Sequence, residues 1–194
     1  LEGWTTSSIA KTLQRLTNKY PSITFTILSG NADDIKWKID NGLVDVGFLL
    51  EPTSTEKYNV EKIGFPERWM MLTQSDSELA ELDEVSPEIF KKQRILISER
   101  PEVRQFIADW AGCQVSDLEI IGGFNLGFHL FEIARAGIGE AVVTEGALIR
   151  DYPDLKAIPL SPEVKTLSVL AWKKNIPLTP LTRAFIKQYL QDNE

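Results

Sequence analysis

Hydroxyl side chains cluster near the start of the chain, just before a stretch of helical periodicity. Thr5, Thr6 and Ser7 precede an apolar stripe at helical spacing within residues 9–16. We expect these hydroxyls to lie beside the free backbone N–H groups of a first helical turn, a combination that favours an anion. Capping of the helix by Thr6 or Ser7 is the alternative role.

A second set of polar side chains follows a predicted strand over residues 94–98. Ser98 ends this strand, and Arg100 comes two residues later, ahead of Pro101. A hydroxyl and a guanidinium at this spacing suit a carboxylate or a phosphate, which arginine binds through two parallel hydrogen bonds. The alternative for Arg100 is a solvated charge before the helix that Pro101 begins.

Phe124 and Asn125 follow the next predicted strand, residues 118–121, and precede a predicted helix over residues 127–136. Phe124 could form an aromatic wall, and the amide of Asn125 can both donate and accept a hydrogen bond. In parallel sheets, ligands bind beyond the carboxyl ends of the strands. We therefore assign these two residues to the same ligand site as Ser98 and Arg100.

Catalytic and metal-binding patterns are weak. The only histidine, His129, falls mid-helix without a nearby motif serine, and the only cysteine, Cys113, follows a helix end, where the dipole disfavours a thiolate. The glycines of residues 122–127 match neither phosphate-loop nor dinucleotide spacing. Asp33 and Asp34 are better explained by a helix start than by a metal. We expect no catalytic residue, no cofactor and no metal.

The elements that would position these residues alternate along the chain. Residues 20–52 read as strand, helix and strand: Ile23, Phe25 and Ile27 alternate with threonines, and Val44, Val46 and Phe48 resume the period of two after a helix. Further strands are predicted at residues 69–73, 94–98, 118–121, 138–144, 155–160 and 166–172, with helices beginning near residues 87, 101, 127 and 180. This order predicts an α/β fold with parallel sheets.

Composition limits the function further. The chain has 194 residues, 43% of them hydrophobic, and a formal net charge of −7 with a pI near 4.9. No basic surface for a nucleic acid backbone is indicated. A single cysteine favours a reducing compartment, and no apolar run reaches the length of a membrane span. We expect a cytoplasmic location and no membrane partner.

Three sequence blocks resemble the effector-binding domain of LysR-type transcriptional regulators. The first runs from Tyr20-Pro21 through Gly30 to residues 42–48, the second is AGIGEAVV at residues 136–143, and the third is LTPLTRAF at residues 178–185. They occur in the family's order and span most of the chain. One departure is Thr144, with Glu145 and Gly146, where the family usually has a proline.

The resemblance implies a type 2 periplasmic-binding-protein-like fold of two Rossmann-like lobes joined by two crossing strands. Lobe I would comprise residues 1–68 and 166–194, and lobe II residues 69–165. The effector, a small polar or anionic metabolite, would bind in the interlobe cleft at these residues: Thr5, Thr6, Ser7, Ser98, Arg100, Phe124, Asn125 and Thr144.

The resemblance also implies partners. Family members form homodimers or homotetramers, which here would use the helices near residues 9–19 and 127–136. They bind DNA through an N-terminal helix-turn-helix that has no counterpart in these residues. The leading interpretation is therefore a non-enzymatic sensor domain of a transcriptional regulator. A free-standing solute-binding protein of a transport system and an enzyme on the same two-lobe fold are the alternatives.

Overall fold

The computed structural model describes residues 4–148 and 152–193. The chain forms two compact units, a first unit of residues 1–65 with 167–194 and a second unit of residues 66–166. The helices are α1 (Trp4–Lys19), α2 (Ala32–Asp40), α3 (Pro87–Phe90), α4 (Pro101–Ala111), α5 (Phe128–Arg135) and α6 (Pro180–Asp192). The strands are β1 (Gly47–Leu50), β2 (Tyr58–Gln74), β3 (Arg94–Ser98), β4 (Glu119–Phe124), β5 (Glu140–Thr144), β6 (Leu155–Pro159) and β7 (Lys165–Lys173).

In the first unit, β1 pairs antiparallel with β7, in a register that places Phe48 opposite Leu170. Helix α2 covers this pair with Ile35 and Ile39, both of which are buried. Helix α6 contributes a second apolar cluster, in which Phe48 lies edge-on to Tyr189 with 5.0 Å between the ring centroids. Two short strands are thus held between helices by apolar burial.

Helix starts follow local rules in both units. Asn31 and Asp34 form a capping box at α2, with bonds of 2.9 and 3.2 Å. Asp34 was expected near this helix start, but Asn31 is the cap residue. Thr179 caps α6 ahead of Pro180, and Ser86 caps α3 ahead of Pro87, as the sequence predicts.

The predicted strand through Ile23, Phe25 and Ile27 is wrong. Residues 23–31 carry no helix or strand assignment, and the side chains of Phe25 and Ile27 are 55% and 61% exposed. The alternation is that of a strand, but strand formation also needs a paired neighbour. Val44 and Val46 likewise precede β1 rather than lie in it, because the pairing with β7 begins at Gly47.

In the second unit, β2 pairs antiparallel with β5 and β6, while β3 lies parallel to both β4 and β5. The larger apolar cluster includes Trp69, Phe90 and Ile107, and the smaller one includes Leu130 and Phe131. Helix α4 ends at Gly112, whose φ of 66° is the left-handed conformation that favours glycine. The α/β class predicted from the sequence is confirmed, but the prediction of parallel sheets is wrong for part of the fold. Strand β1 pairs antiparallel with β7, and β2 pairs antiparallel with β5 and β6.

Candidate functional site

The carboxyl ends of three parallel strands meet at one edge of the sheet in the second unit. Ser98 ends β3 and Phe124 ends β4, and the two residues are partners in the strand register. Thr144 ends β5, which runs parallel to β3. The structure therefore brings Ser98, Phe124 and Thr144 to the same edge, where open α/β sheets bind ligands.

The connection from β3 to α4 is held by short-range hydrogen bonds. The Ser98 hydroxyl accepts a hydrogen bond of 3.4 Å from the backbone N–H of Arg100. The backbone N–H of Glu99 donates to the carbonyl oxygen of Phe124 at 3.0 Å, which joins the ends of β3 and β4. These bonds hold the loop of residues 98–100, which carries the predicted ligand contacts Ser98 and Arg100.

Arg100 is not the solvated charge that the sequence allowed. Its side chain is only 6% exposed, and its Nη2 lies 4.0 Å from Oε2 of Glu102. A buried guanidinium is costly unless its charge is compensated. Arg100 therefore contributes positive charge at the start of α4 from a largely buried position.

Arg104 is a cation of this edge that our reading of the sequence missed. Its Nε donates to the carbonyl oxygen of Ser98 at 3.0 Å. A Cβ atom added to Gly123 would lie 2.8 Å from Nη2 of Arg104, so the glycine leaves room for the guanidinium. The spacing of four residues from Arg100 could have indicated it, because residues i and i+4 share a helix face.

Phe124 and Asn125 take different positions. Phe124 packs against the smaller apolar cluster, whose members include Leu96 and Leu130. Asn125 follows the strand with an exposed side chain. An exposed amide next to a strand end can hydrogen-bond a polar ligand. Asn125 is thus the most accessible of the predicted contacts in this unit.

Two carboxylates, Glu145 and Glu67, lie near the end of β5, and the partners of neither were predicted from the sequence. Glu145 accepts hydrogen bonds from Nε and Nη2 of Arg68, at 3.1 and 2.7 Å. Arg68 thereby lowers the pKa of Glu145. Glu67 Oε2 accepts a bond of 3.1 Å from the backbone N–H of Gly146. Because Glu67 already uses that N–H, an anionic ligand is better served at the α4 side of the edge.

Thr5, Thr6 and Ser7 lie in the first unit, within the first turn of α1 rather than in a loop before it. Thr5 is 9% exposed, and Thr6 and Ser7 are exposed. The first backbone N–H groups of an α-helix make no hydrogen bond within that helix, and this property underlies the prediction of an anion site at Thr5, Thr6 and Ser7.

Groups for other chemistry are few in the described part of the chain. Residues 4–148 and 152–193 hold no cluster of three or more histidine, cysteine or acidic side chains that could bind a metal ion. Burial and the nearby Asp117 raise the pKa of the Cys113 thiol. No helix among the described residues is long and apolar enough to span a membrane.

The fold agrees with comparisons to known proteins. The family model described as "LysR substrate binding domain" matches residues 2–193. The chain belongs to this family. It is an effector-sensing domain of the LysR type. The family match favours the interpretation as a domain of a regulator over that as a transport protein. No curated protein matches the chain in sequence.

Solved structures of LysR-family proteins share the fold at low sequence identity. The effector binding domain of QuiR in complex with shikimate has a TM-score of 0.80 at 16% identity, covering 95% of this chain and 90% of that one. The regulatory domain of CcmR from Synechocystis PCC6803, in complex with 2-PG, has a TM-score of 0.79 at 14% identity, covering 97% and 92%.

The regulator CbnR has a TM-score of 0.74 at 13% identity, and the match covers 96% of this chain but only 65% of CbnR. The chain therefore corresponds to about two thirds of that regulator. The periplasmic-binding-protein-like fold predicted for a LysR effector domain is confirmed.

Proposed function

We propose that this LysR domain senses a small anionic effector at the carboxyl edge of β3, β4 and β5. The observation that carries the proposal is the convergence of Ser98, Phe124 and Thr144 at one sheet edge, with Arg104 bonded to Ser98. Asn125 adds an exposed amide. A carboxylate is the best-suited ligand group, since arginine and hydroxyl donors bind it through charge-assisted hydrogen bonds.

The size of the effector is suggested by relatives. QuiR was solved with shikimate and CcmR with 2-PG, both in domains that share this fold. Shikimate combines one carboxylate with several hydroxyls, a pattern that Arg104, Ser98 and Asn125 could bind together. We propose a hydroxylated organic acid of similar size.

A thermal-shift titration tests the site. We propose to screen hydroxylated organic acids, shikimate among them, and to repeat every hit with Ser98→Ala and Asn125→Ala. A ligand at one hundred times its dissociation constant should stabilise the fold by about 2.7 kcal/mol, which corresponds to a rise in Tm of roughly 5–10 °C. Each variant should weaken binding by about tenfold, the effect of one hydrogen bond to a charged group.

Ser116→Ala is the matched control, because Ser116 is exposed in the same unit and precedes β4. It should leave the shift unchanged. A ligand whose thermal shift is unchanged in both Ser98→Ala and Asn125→Ala binds elsewhere, and this result would contradict the proposed site. Thr5, Thr6 and Ser7 remain proposed contacts and are tested by the same titration with Thr6→Ala.

Binding would serve regulation if the two functional states of the regulator differ in effector affinity. We propose that DNA contacts belong to the part of the regulator that these residues do not match, in a non-enzymatic cytoplasmic protein. The net charge of −7 supports this assignment, because DNA binding needs clustered lysine and arginine. Fluorescence anisotropy of this chain with duplex DNA should show no saturable binding at 0.15 M salt.

A further inference from the structure

The two carboxylates near the end of β5 differ in how their charge is compensated. Glu145 accepts two hydrogen bonds from Arg68, at 3.1 and 2.7 Å, so this pair carries no net charge. Lys165, which also acts on Glu145, is itself paired with Glu163 at 2.6 Å. Within the part of the chain that the structure describes, no lysine or arginine side chain forms an ion pair with Glu67. One negative charge therefore remains uncompensated at this end of the edge.

Glu67 is held in place by the backbone that follows β5. Its Oε2 accepts a hydrogen bond of 3.1 Å from the N–H of Gly146, which is buried. A Cβ atom added to Gly146 would lie 2.8 Å from Oε1 of Glu67, so the glycine leaves room for this carboxylate. The N–H is thus already used, and the half-buried carboxylate keeps lone pairs that can accept a hydrogen bond from a ligand.

Glu67 and Ser98 lie on strands that are separated by one other strand. Glu67 belongs to β2 and Ser98 to β3, and β5 runs between them. Neighbouring strands are about 4.8 Å apart, so the backbones of these two residues are at least about 10 Å apart. With hydrogen bonds of about 3 Å at both ends, a ligand with a chain of about six carbon atoms spans this distance.

The α4 side of the edge offers the opposite chemistry to such a ligand. Two arginines, Arg100 and Arg104, lie at the start of α4 together with the exposed acids Glu99 and Glu102. Nε of Arg104 donates to the backbone at the end of β3 at 3.0 Å, and its guanidinium has further N–H groups for an anion. A carboxylate is stabilised at this side by charge-assisted hydrogen bonds, whereas a second carboxylate beside Glu67 would be repelled.

We infer that Glu67 determines which charge the effector carries at its second end. An effector that reaches from Ser98 to the end of β5 presents a hydrogen-bond donor to Glu67, either a hydroxyl or an ammonium group. A second anionic group is excluded there, because an opposing like charge rejects the wrong ligand. This inference rests on the proposed effector site and narrows its ligands to monocarboxylates with a donor about six carbon atoms from the carboxylate.

An NMR titration of the isotope-labelled chain compares three acids that share a six-carbon chain: ε-aminocaproate, ε-hydroxycaproate and adipate. Their dissociation constants are measured from the amide shifts of Ser98, Asn125 and Gly146. We expect ε-aminocaproate to bind most tightly, and adipate to bind at least about tenfold more weakly than ε-hydroxycaproate, the effect of one hydrogen bond to a charged group. Acetate reaches only the Ser98 end and is the control ligand for the carboxylate site.

Glu67→Gln removes the charge but keeps an oxygen that can accept from the N–H of Gly146. In this variant, adipate should bind within about threefold of ε-hydroxycaproate, because the repulsion is gone. Acetate should bind as it does to the unsubstituted chain. Glu81→Gln is the matched control, since Glu81 is exposed in the same unit and lies beyond the opposite end of β2. It should leave the order of the ligands unchanged.

The failure of this inference differs from the failure of the proposed effector site. If acetate and all three longer acids leave the Ser98 and Asn125 amides unshifted at about 50 mM, the effector site is wrong and the inference falls with it. If acetate binds but the three longer acids bind equally, the effector site stands and the role of Glu67 is overturned. An order of ligands that persists unchanged in Glu67→Gln overturns that role as well.

Discussion

Arg68 and Glu145 form an ion pair whose contribution depends on pH. Arg68 lowers the pKa of Glu145 through two hydrogen bonds. A carboxyl with a lowered pKa stabilises the folded state above its unfolded pKa, and this contribution disappears as pH falls through the folded value. The two side chains are 41% and 37% exposed, so solvent screens much of the interaction.

We predict that Glu145→Gln lowers the free energy of unfolding by about 0.5 kcal/mol at pH 7. The difference from the unsubstituted chain should shrink as pH falls from about 5 to about 2. Urea unfolding at several pH values measures it. Glu119→Gln is the control, because Glu119 pairs with Arg94 through a single bond of 3.2 Å between side chains that are 62% and 61% exposed. A loss at Glu119 equal to that at Glu145 would contradict the assigned role of the paired geometry.

Individual residues also show where sequence reasoning stopped. Ser98, Asn125 and Arg100 could be predicted as ligand contacts from their positions beside predicted strands and helices. The Arg68–Glu145 pair could not, because its members are 77 positions apart and only the pairing of β2 with β5 brings them together. The burial of Arg100, which is 6% exposed, was likewise not predicted from the sequence.

Two glycines at the ends of secondary-structure elements, Gly112 and Gly139, resist substitution for different physical reasons. Gly112 ends α4 with a φ of 66° and has no atom within 4 Å of an added Cβ. Gly139 precedes β5, and an added Cβ would lie 2.5 Å from Cδ1 of Ile121 and 2.7 Å from the carbonyl oxygen of Arg94. The first position is restricted by backbone conformation, and the second by packing.

We predict that Gly112→Ala costs about 1 kcal/mol of stability, the penalty of a left-handed residue with a side chain. Gly139→Ala should cost more, roughly 2–3 kcal/mol, because a carbonyl of β3 cannot move aside as a flexible side chain can. Urea unfolding of both variants gives the comparison. A smaller loss at Gly139 than at Gly112 would show that β5 can shift away from β3.

Helices were predicted better than strands. The starts of α3, α4 and α6 follow from a proline at the first helical position, and the end of α4 follows from Gly112. Capping depends on neighbours in sequence, so it can be read locally. Residues 23–27 show the contrast: their alternation predicts a strand, yet a strand exists only where a partner backbone accepts its hydrogen bonds.

For the whole molecule, membership of the LysR family leads us to predict self-association through α1 and α5. Ala10 lies on the exposed side of α1, where an arginine would disrupt a helix-mediated interface. Sedimentation velocity at about 10 μM should give a dimer or tetramer for the unsubstituted chain, and Ala10→Arg should shift it towards monomer, because desolvating an unpaired charge is costly.

Ser116→Arg provides the matched control for that substitution. Ser116 is exposed in the second unit, outside both helices, so its replacement should leave the distribution unchanged. A strict monomer at 50 μM for the unsubstituted chain would contradict the predicted association. Equal dissociation by Ala10→Arg and Ser116→Arg would instead point to a general charge effect.

The sequence by itself determined most helix starts, the α/β class and the polar residues that follow predicted strand ends. These properties depend on periodicity, capping and glycine positions within a few residues of each other. Only the tertiary structure decided that Ser98, Phe124 and Thr144 share an edge, that Arg100 is buried, and that residues 23–29 form no strand. Such facts depend on which backbones pair and which surfaces cover one another, and those contacts join residues far apart in the chain.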